Sequence, residues 1–90
     1  MENFHVGDRV VIKDNGQAFS TYNEWFDRYA PELASRYAYN QSPKNGKLCV
    51  VKAICHHGFS DEILVAVEDK TSYYEPIYLI GQDGLEAYHE

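Results

Sequence analysis

The first pattern along the chain is an alternation. From Val6 to Lys13, residues Val6, Asp8, Val10 and Ile12 fall on one side of an extended backbone and Gly7, Arg9, Val11 and Lys13 on the other, which is the two-residue period of a half-buried strand. Asp14-Asn15-Gly16 ends it with residues that tolerate left-handed backbone angles. Near Thr21 the period changes. Tyr22, Trp25, Phe26, Tyr29, Leu33 and Tyr37 recur at steps of three and four and form one apolar helical face. Thr21 and Glu24 make a candidate capping box at its start. Pro31 lies inside the stripe, where it removes an amide donor and collides with the preceding turn, so the pattern predicts a kinked helix or two short helices over about residues 20–38. The registry of the stripe continues across Pro31, which places both pieces on one surface and marks the stripe as core rather than interface.

The remainder reads as short strands and turns. Ala38 to Gly46 is a loop closed by a turn at Asn45-Gly46. Leu48 to Ile54 is a strand whose apolar run is interrupted only by Lys52, which implies two partly covered faces or a bulge that shifts the alternation midway. A connection from His56 to Asp61 leads to a strand in which Ile63, Val65 and Val67 alternate against Leu64 and Ala66. Lys70 to Glu75 is a turn region, Pro76 to Ile80 a further strand, Gly81 to Gly84 a tight reversal, and Leu85 to Tyr88 a short last strand. About five short strands with tight connections favour a small, partly closed barrel over a flat sheet with bare edges. The helical stripe would then cover the barrel mouth or extend the core.

Ninety residues set the scale: one domain, residues 1–90, with one modest core. The chain is 44% hydrophobic and carries eight tyrosines, four phenylalanines and one tryptophan, a folded rather than disordered composition. Fourteen acidic residues against eight Lys and Arg leave a net charge of -6 with no basic face apparent, which disfavours direct phosphate-backbone binding and favours a protein partner, a basic one among the candidates. No apolar run reaches the roughly 18 residues of a membrane helix, and Met1 to His5 lacks the basic-then-apolar order of a signal peptide. A cytoplasmic location follows as the expectation. Cys49 and Cys55 sit six apart in an extended segment, so their Cα atoms would be about 20 Å apart, beyond the reach of about 7 Å for a disulfide.

The order "VGDRVVI", "NGKLCVVKAI", "ILVAVED" and "YLIGQDGLE" resembles the small SH3-like barrels encoded by bacteriophages and prophages. Gly7, Asp8, Val10, Ile12, Gly46, Val50, Val51, Ile54, Tyr78, Leu79, Ile80, Gly84, Leu85 and Glu86 carry the likeness, and the "TYNEWF" helix matches the insertion of those proteins. Cys49 stands where that pattern commonly has glycine. The resemblance implies a mainly β (α+β) fold, a five-stranded SH3-like barrel with a helical insertion between its first two strands. It also implies an accessory protein acting in the cytoplasm of a bacterial host. The wider group includes peptide binders, nucleic-acid and ribosome-associated modules and inhibitors of host enzymes, and fold alone does not choose among them.

Catalytic and metal chemistry find little support. Cys55-His56-His57 with Asp61 and Glu62 matches no familiar zinc spacing, and adjacent histidines on a strand face opposite sides. No catalytic residue, metal ligand or cofactor is expected. The tyrosines stand out instead, because rigid amphipathic rings are enriched at binding hot spots. Tyr39, Tyr73, Tyr74 and Tyr78 are the candidate protein-binding residues, with Glu68, Asp69 and Glu75 as acids that would face a basic or nucleic-acid-binding partner. The leading expectation is a non-enzymatic protein-binding module that modulates or inhibits a host factor such as a defence enzyme. The alternative is a nucleic-acid-associated module using Arg9, Lys13, Lys44, Lys47 and Lys52.

Overall fold

The computed structural model describes residues 4–19, 23–56 and 63–88. Six strands, β1 (Arg9–Ile12), β2 (Ala18–Phe19), β3 (Leu48–His56), β4 (Ile63–Asp69), β5 (Ile77–Gly81) and β6 (Leu85–Ala87), form one antiparallel sheet in the order β2-β5-β4-β3-β1-β6. In a flat sheet β5 and β6, four positions apart in that order, would be separated by about 19 Å. Their link is the three-residue 3-10 helix Gln82–Gly84, which rises only about 6 Å. The sheet therefore curls until its two ends approach.

That curl encloses the first core. Val10 and Ile12 of β1, Cys49 and Val51 of β3, Val65 and Val67 of β4, Ile80 of β5 and Leu85 of β6 meet inside it, together with Phe4. The second core lies on the outer face, where Leu64, Ala66, Ile77 and Leu79 meet Trp25, Phe26, Ala30, Leu33 and Tyr37 of the helical insertion. Central strand β4 is thus apolar on both sides, which explains why Leu64 to Val67 are all fully buried. Burial of each Leu and Val side chain among them contributes about 1.5 to 3 kcal/mol.

Strand β3 serves both cores by changing face. Its register with β4 runs Val51 to Val67 and then Ala53 to Ala66, so Lys52 is the extra residue of a bulge. Before the bulge Cys49 and Val51 point into the curl; after it Ala53 and Cys55 pack against the helical side. The interrupted apolar run around Lys52 has this cause. The bulge also puts the two cysteines on different faces, and both are free thiols.

The helical insertion is split as the proline demands. Helix α1 (Asn23–Tyr29) ends at Ala30, whose φ of -152° and ψ of 63° leave the helical region, and a 3-10 helix, Pro31–Arg36, resumes with the proline at its start. Trp25 and Phe26 pack edge to face at 5.2 Å, and Phe26 packs on Tyr37 at 4.5 Å between ring centres. Tyr37 donates its hydroxyl hydrogen to the carbonyl of Phe19 and forms a parallel bridge with Ile77, so the insertion is fastened at its C-terminal end. The proposed capping residue Thr21 and the stripe's Tyr22 lie outside the described residues.

Three expectations need correction. The sheet has six strands rather than five, because Ala18–Phe19 pairs with Ile80 and Leu79 of β5, and two residues are too few to show a period. Where a partly closed barrel was expected, the sheet curls but does not close, since β2 and β6 end the sheet order and pair with β5 and β1 rather than with each other. Tyr29, placed in the buried stripe, is 40% exposed, because the break at Ala30 follows it directly.

The seam between the curled ends depends on Gly84. Its carbonyl accepts from the amides of Lys13 at 2.9 Å and Asp14 at 3.2 Å, and a Cβ added there would stand 2.8 Å from the Asp14 carbonyl oxygen and 2.8 Å from Gln17 Cβ. A backbone oxygen and a Cβ fixed to the backbone, neither the far end of a flexible side chain, are in the way. Gly84→Ala should therefore lower stability by about 1 to 3 kcal/mol, read as an earlier urea midpoint with an unchanged slope.

Candidate functional site

The candidate site grows out of the end of β4, where the strand runs from apolar residues into Glu68 and Asp69. Both are buried, at 4% and 1% exposure. A carboxylate in such a place must be matched by charge or hydrogen bonds. Arg36, the last residue of the 3-10 helix, lies with Nη1 2.7 Å from Glu68 Oε2; Lys52 of the bulge is 3.8 Å from the same oxygen; Lys70 Nζ is 3.1 Å from Oε1. Lys70 also reaches Glu75 Oε2 at 2.6 Å. Asp69 is matched differently: its Oδ1 accepts from the Thr71 amide at 2.8 Å and the Thr71 hydroxyl at 2.6 Å, and Lys47 Nζ stands 3.8 Å from its Oδ2.

These contacts fix both roots of the loop between β4 and β5. The Asp69 amide donates to the Pro76 carbonyl at 2.9 Å, the Lys70 amide to Leu48 at 3.2 Å and the Glu75 amide to Ser72 at 3.2 Å. Glu75 has a φ of 46°, a left-handed conformation that costs a non-glycine residue about 1 kcal/mol or more. From this braced base Tyr73 and Tyr74 project with 90% and 82% of their surface exposed, their rings edge to face at 5.1 Å. Of the other large hydrophobic side chains exposed among the described residues, the next is Val6 at 67%.

The remaining candidate residues fall elsewhere. Tyr39 is 48% exposed and touches Tyr37 at 6.4 Å between ring centres, just past the 3-10 helix. Tyr78 is half-buried against the inner core, and burial, then the charge of Asp69 and of Cys49, pushes its hydroxyl pKa up. Glu68 and Asp69 do not face outward as expected: the chain's own cations and Thr71 hold their oxygens. The structure therefore brings Tyr73, Tyr74 and Glu75 together, with Glu68 and Asp69 as their foundation rather than their surface.

Cys49 is buried, and burial, reinforced by Asp69 and opposed by Lys47, pushes its pKa up to about 12, so at neutral pH it is a protonated thiol rather than a nucleophile. Among the described residues no group of three or more His, Cys, Asp and Glu could hold a metal ion. Of the connection expected from His56 to Asp61, His56 ends β3 and residues 57–61 lie outside the described residues. Sequence reasoning missed Arg36, Lys52 and Lys70 as a set. Only the Glu68 and Lys70 pair had a local signal, being two apart and so on one side of an extended chain. No protein-family model, curated protein or solved structure shows a significant match to the chain.

Burial pushes the Glu68 carboxyl up, but the hydrogen bonds of Lys70 and Arg36 and the charges of Lys52 and Lys70 outweigh it, and its pKa lies below the ordinary 4.5. A carboxylate held low when folded stabilises the protein above its unfolded pKa, and this contribution is lost as pH falls through the folded value. Glu68→Gln should cost about 1 to 2 kcal/mol at neutral pH. The difference from wild type, followed by urea midpoints, should persist down to about pH 5 and shrink toward zero in more acidic solution.

Proposed function

We propose that the protein is a non-enzymatic protein-binding module whose gripping surface is the β4–β5 loop with Tyr73 and Tyr74 at its tip. The observation that carries this reading is the exposure of the pair, 90% and 82%, on a loop whose roots are tied by ion pairs and backbone hydrogen bonds. Exposed aromatic area is disfavoured on a solitary surface and is the commonest anchor at an interface. A loop already held in shape loses little freedom when it binds. Glu75, its side chain 43% exposed, is the acid best placed to add a polar contact.

The path of the chain supports an SH3-like reading of the curled sheet: β3, β4 and β5 form a meander, and β6 returns beside β1. On such folds peptides dock between loops lined by aromatic rings. Together with the sequence resemblance, this extends the proposal to a phage or prophage accessory protein that modulates a host factor, such as a defence enzyme, in the bacterial cytoplasm. The net charge of -6 favours approach by a basic partner, while the grip itself is assigned to the rings.

A second reading has one specific observation behind it. Arg36, Lys47, Lys52 and Lys70, four of the eight Lys and Arg residues, gather around Glu68 and Asp69 beside the two exposed rings. Bases stack on exposed aromatics flanked by cations. Arg9 of the expected basic strip instead lies over the ring of Tyr88, 5.4 Å from its centre.

Selection of displayed bacterial peptides against the wild type should yield binders whose affinity for the Tyr73→Ala, Tyr74→Ala double variant falls about thirtyfold or more. The variant's urea midpoint should be unchanged, because neither ring is buried. Binders unaffected by the double substitution would remove the loop from the site. A shift of a single-stranded oligonucleotide at low salt, lost in the same variant, would favour the second reading.

A further inference from the structure

Glu68 divides its two oxygens between two parts of the molecule. Oε2 holds Arg36 at 2.7 Å, with Lys52 at 3.8 Å, and Oε1 holds Lys70 at 3.1 Å. Lys70 is in turn 2.6 Å from Oε2 of Glu75, the loop residue with a left-handed φ of 46°. A continuous line of charged contacts thus runs from the end of the helical insertion, through a buried carboxylate, to the strained residue that follows Tyr73 and Tyr74.

We infer that Glu68 is a positioning residue that couples the helical insertion to the tyrosine loop, so that the engagement of Arg36 sets how firmly Tyr73 and Tyr74 are held. The direction of the coupling follows from burial. The side chain of Glu68 is 5% exposed and that of Glu75 is 43% exposed. Without Arg36 the buried carboxylate loses its closest cation and water cannot replace it. Glu75 can turn to water at little cost. Lys70, shared between them, is therefore drawn to Glu68 and leaves Glu75, whose left-handed backbone then relaxes and carries the adjoining tyrosines with it. Arg36 is 40% exposed at its side chain, so an anionic group on a partner could compete for it and act on the loop from the far end of the line.

The meaning of this coupling for binding rests on the loop being the gripping surface, but the coupling itself belongs to the free protein and is tested there. Amide hydrogen exchange of the whole chain should show the Glu75 and Thr71 amides, bonded to the Ser72 carbonyl and Asp69 Oδ1, exchanging about three to five times faster in Arg36→Gln than in wild type. The amides of Gln17 and Tyr88, bonded to the carbonyls of Asp14 and Arg9 away from this line of contacts, should not change, and Arg36→Lys should restore the loop. Unchanged loop amides in Arg36→Gln overturn the inference, as does an equal acceleration at Gln17 and Tyr88. A coupled loop for which no partner is found would leave the inference standing and the binding proposal wrong. A loop that binds through its tyrosines yet ignores Arg36 would do the reverse.

Discussion

The structure depends on the fact that β4 has no water-facing side. Leu64 and Ala66 need cover on one face and Val65 and Val67 on the other, and a single sheet in a chain of ninety residues cannot supply both by stacking on a second sheet. The curl covers one face and the helical insertion covers the other. The bulge at Lys52 follows from the same demand, because β3 must offer apolar residues first to the inside and then to the outside. The Pro31 break keeps two short helices on one surface where a straight helix would leave the sheet.

The burial of β4 also creates the site. A strand covered on both faces carries whatever stands at its end into the same low-polarity surroundings, and here that is Glu68 and Asp69. Charge in such a place attracts cations from several neighbouring elements: Arg36 from the helical side, Lys52 from the bulge, Lys47 and Lys70 from the flanking turns. The loop that follows is consequently braced at its base. Its two tyrosines gain nothing from that brace in the isolated chain, which is the physical reason to connect the brace with recognition.

Much of the fold was legible in the sequence because its signals are local. The alternation of Val10 and Ile12, the stripe of Trp25, Phe26, Leu33 and Tyr37, the proline break and the Asn45-Gly46 turn each occupy a few consecutive residues. Strand β2 was not legible, since Ala18 and Phe19 acquire their strand character only from pairing with β5. How far the expected partial closure would go was not legible either, because that depends on how far the sheet curls. At the site, the residue types of Tyr73 and Tyr74 were readable in a polar turn between two apolar strands. The inward role of Glu68 was not, because the partner that buries it, Arg36, is 32 residues away in sequence.

That separation bears on why the two features occur together. An acid at the end of an edge strand would sit in water and need no partner, and a loop beside it would move freely. Glu68 instead stands next to last in the most deeply buried strand of the sheet, so the same desolvation that makes its charge costly makes its contacts with Arg36 and Lys70 firm. Firm contacts at the root of a short loop offset the cost of a left-handed Glu75 and leave few conformations for the residues between. Two rings held this way keep one shape. The helical insertion, which at first sight only completes a core, thereby becomes part of what holds the tyrosine loop in shape.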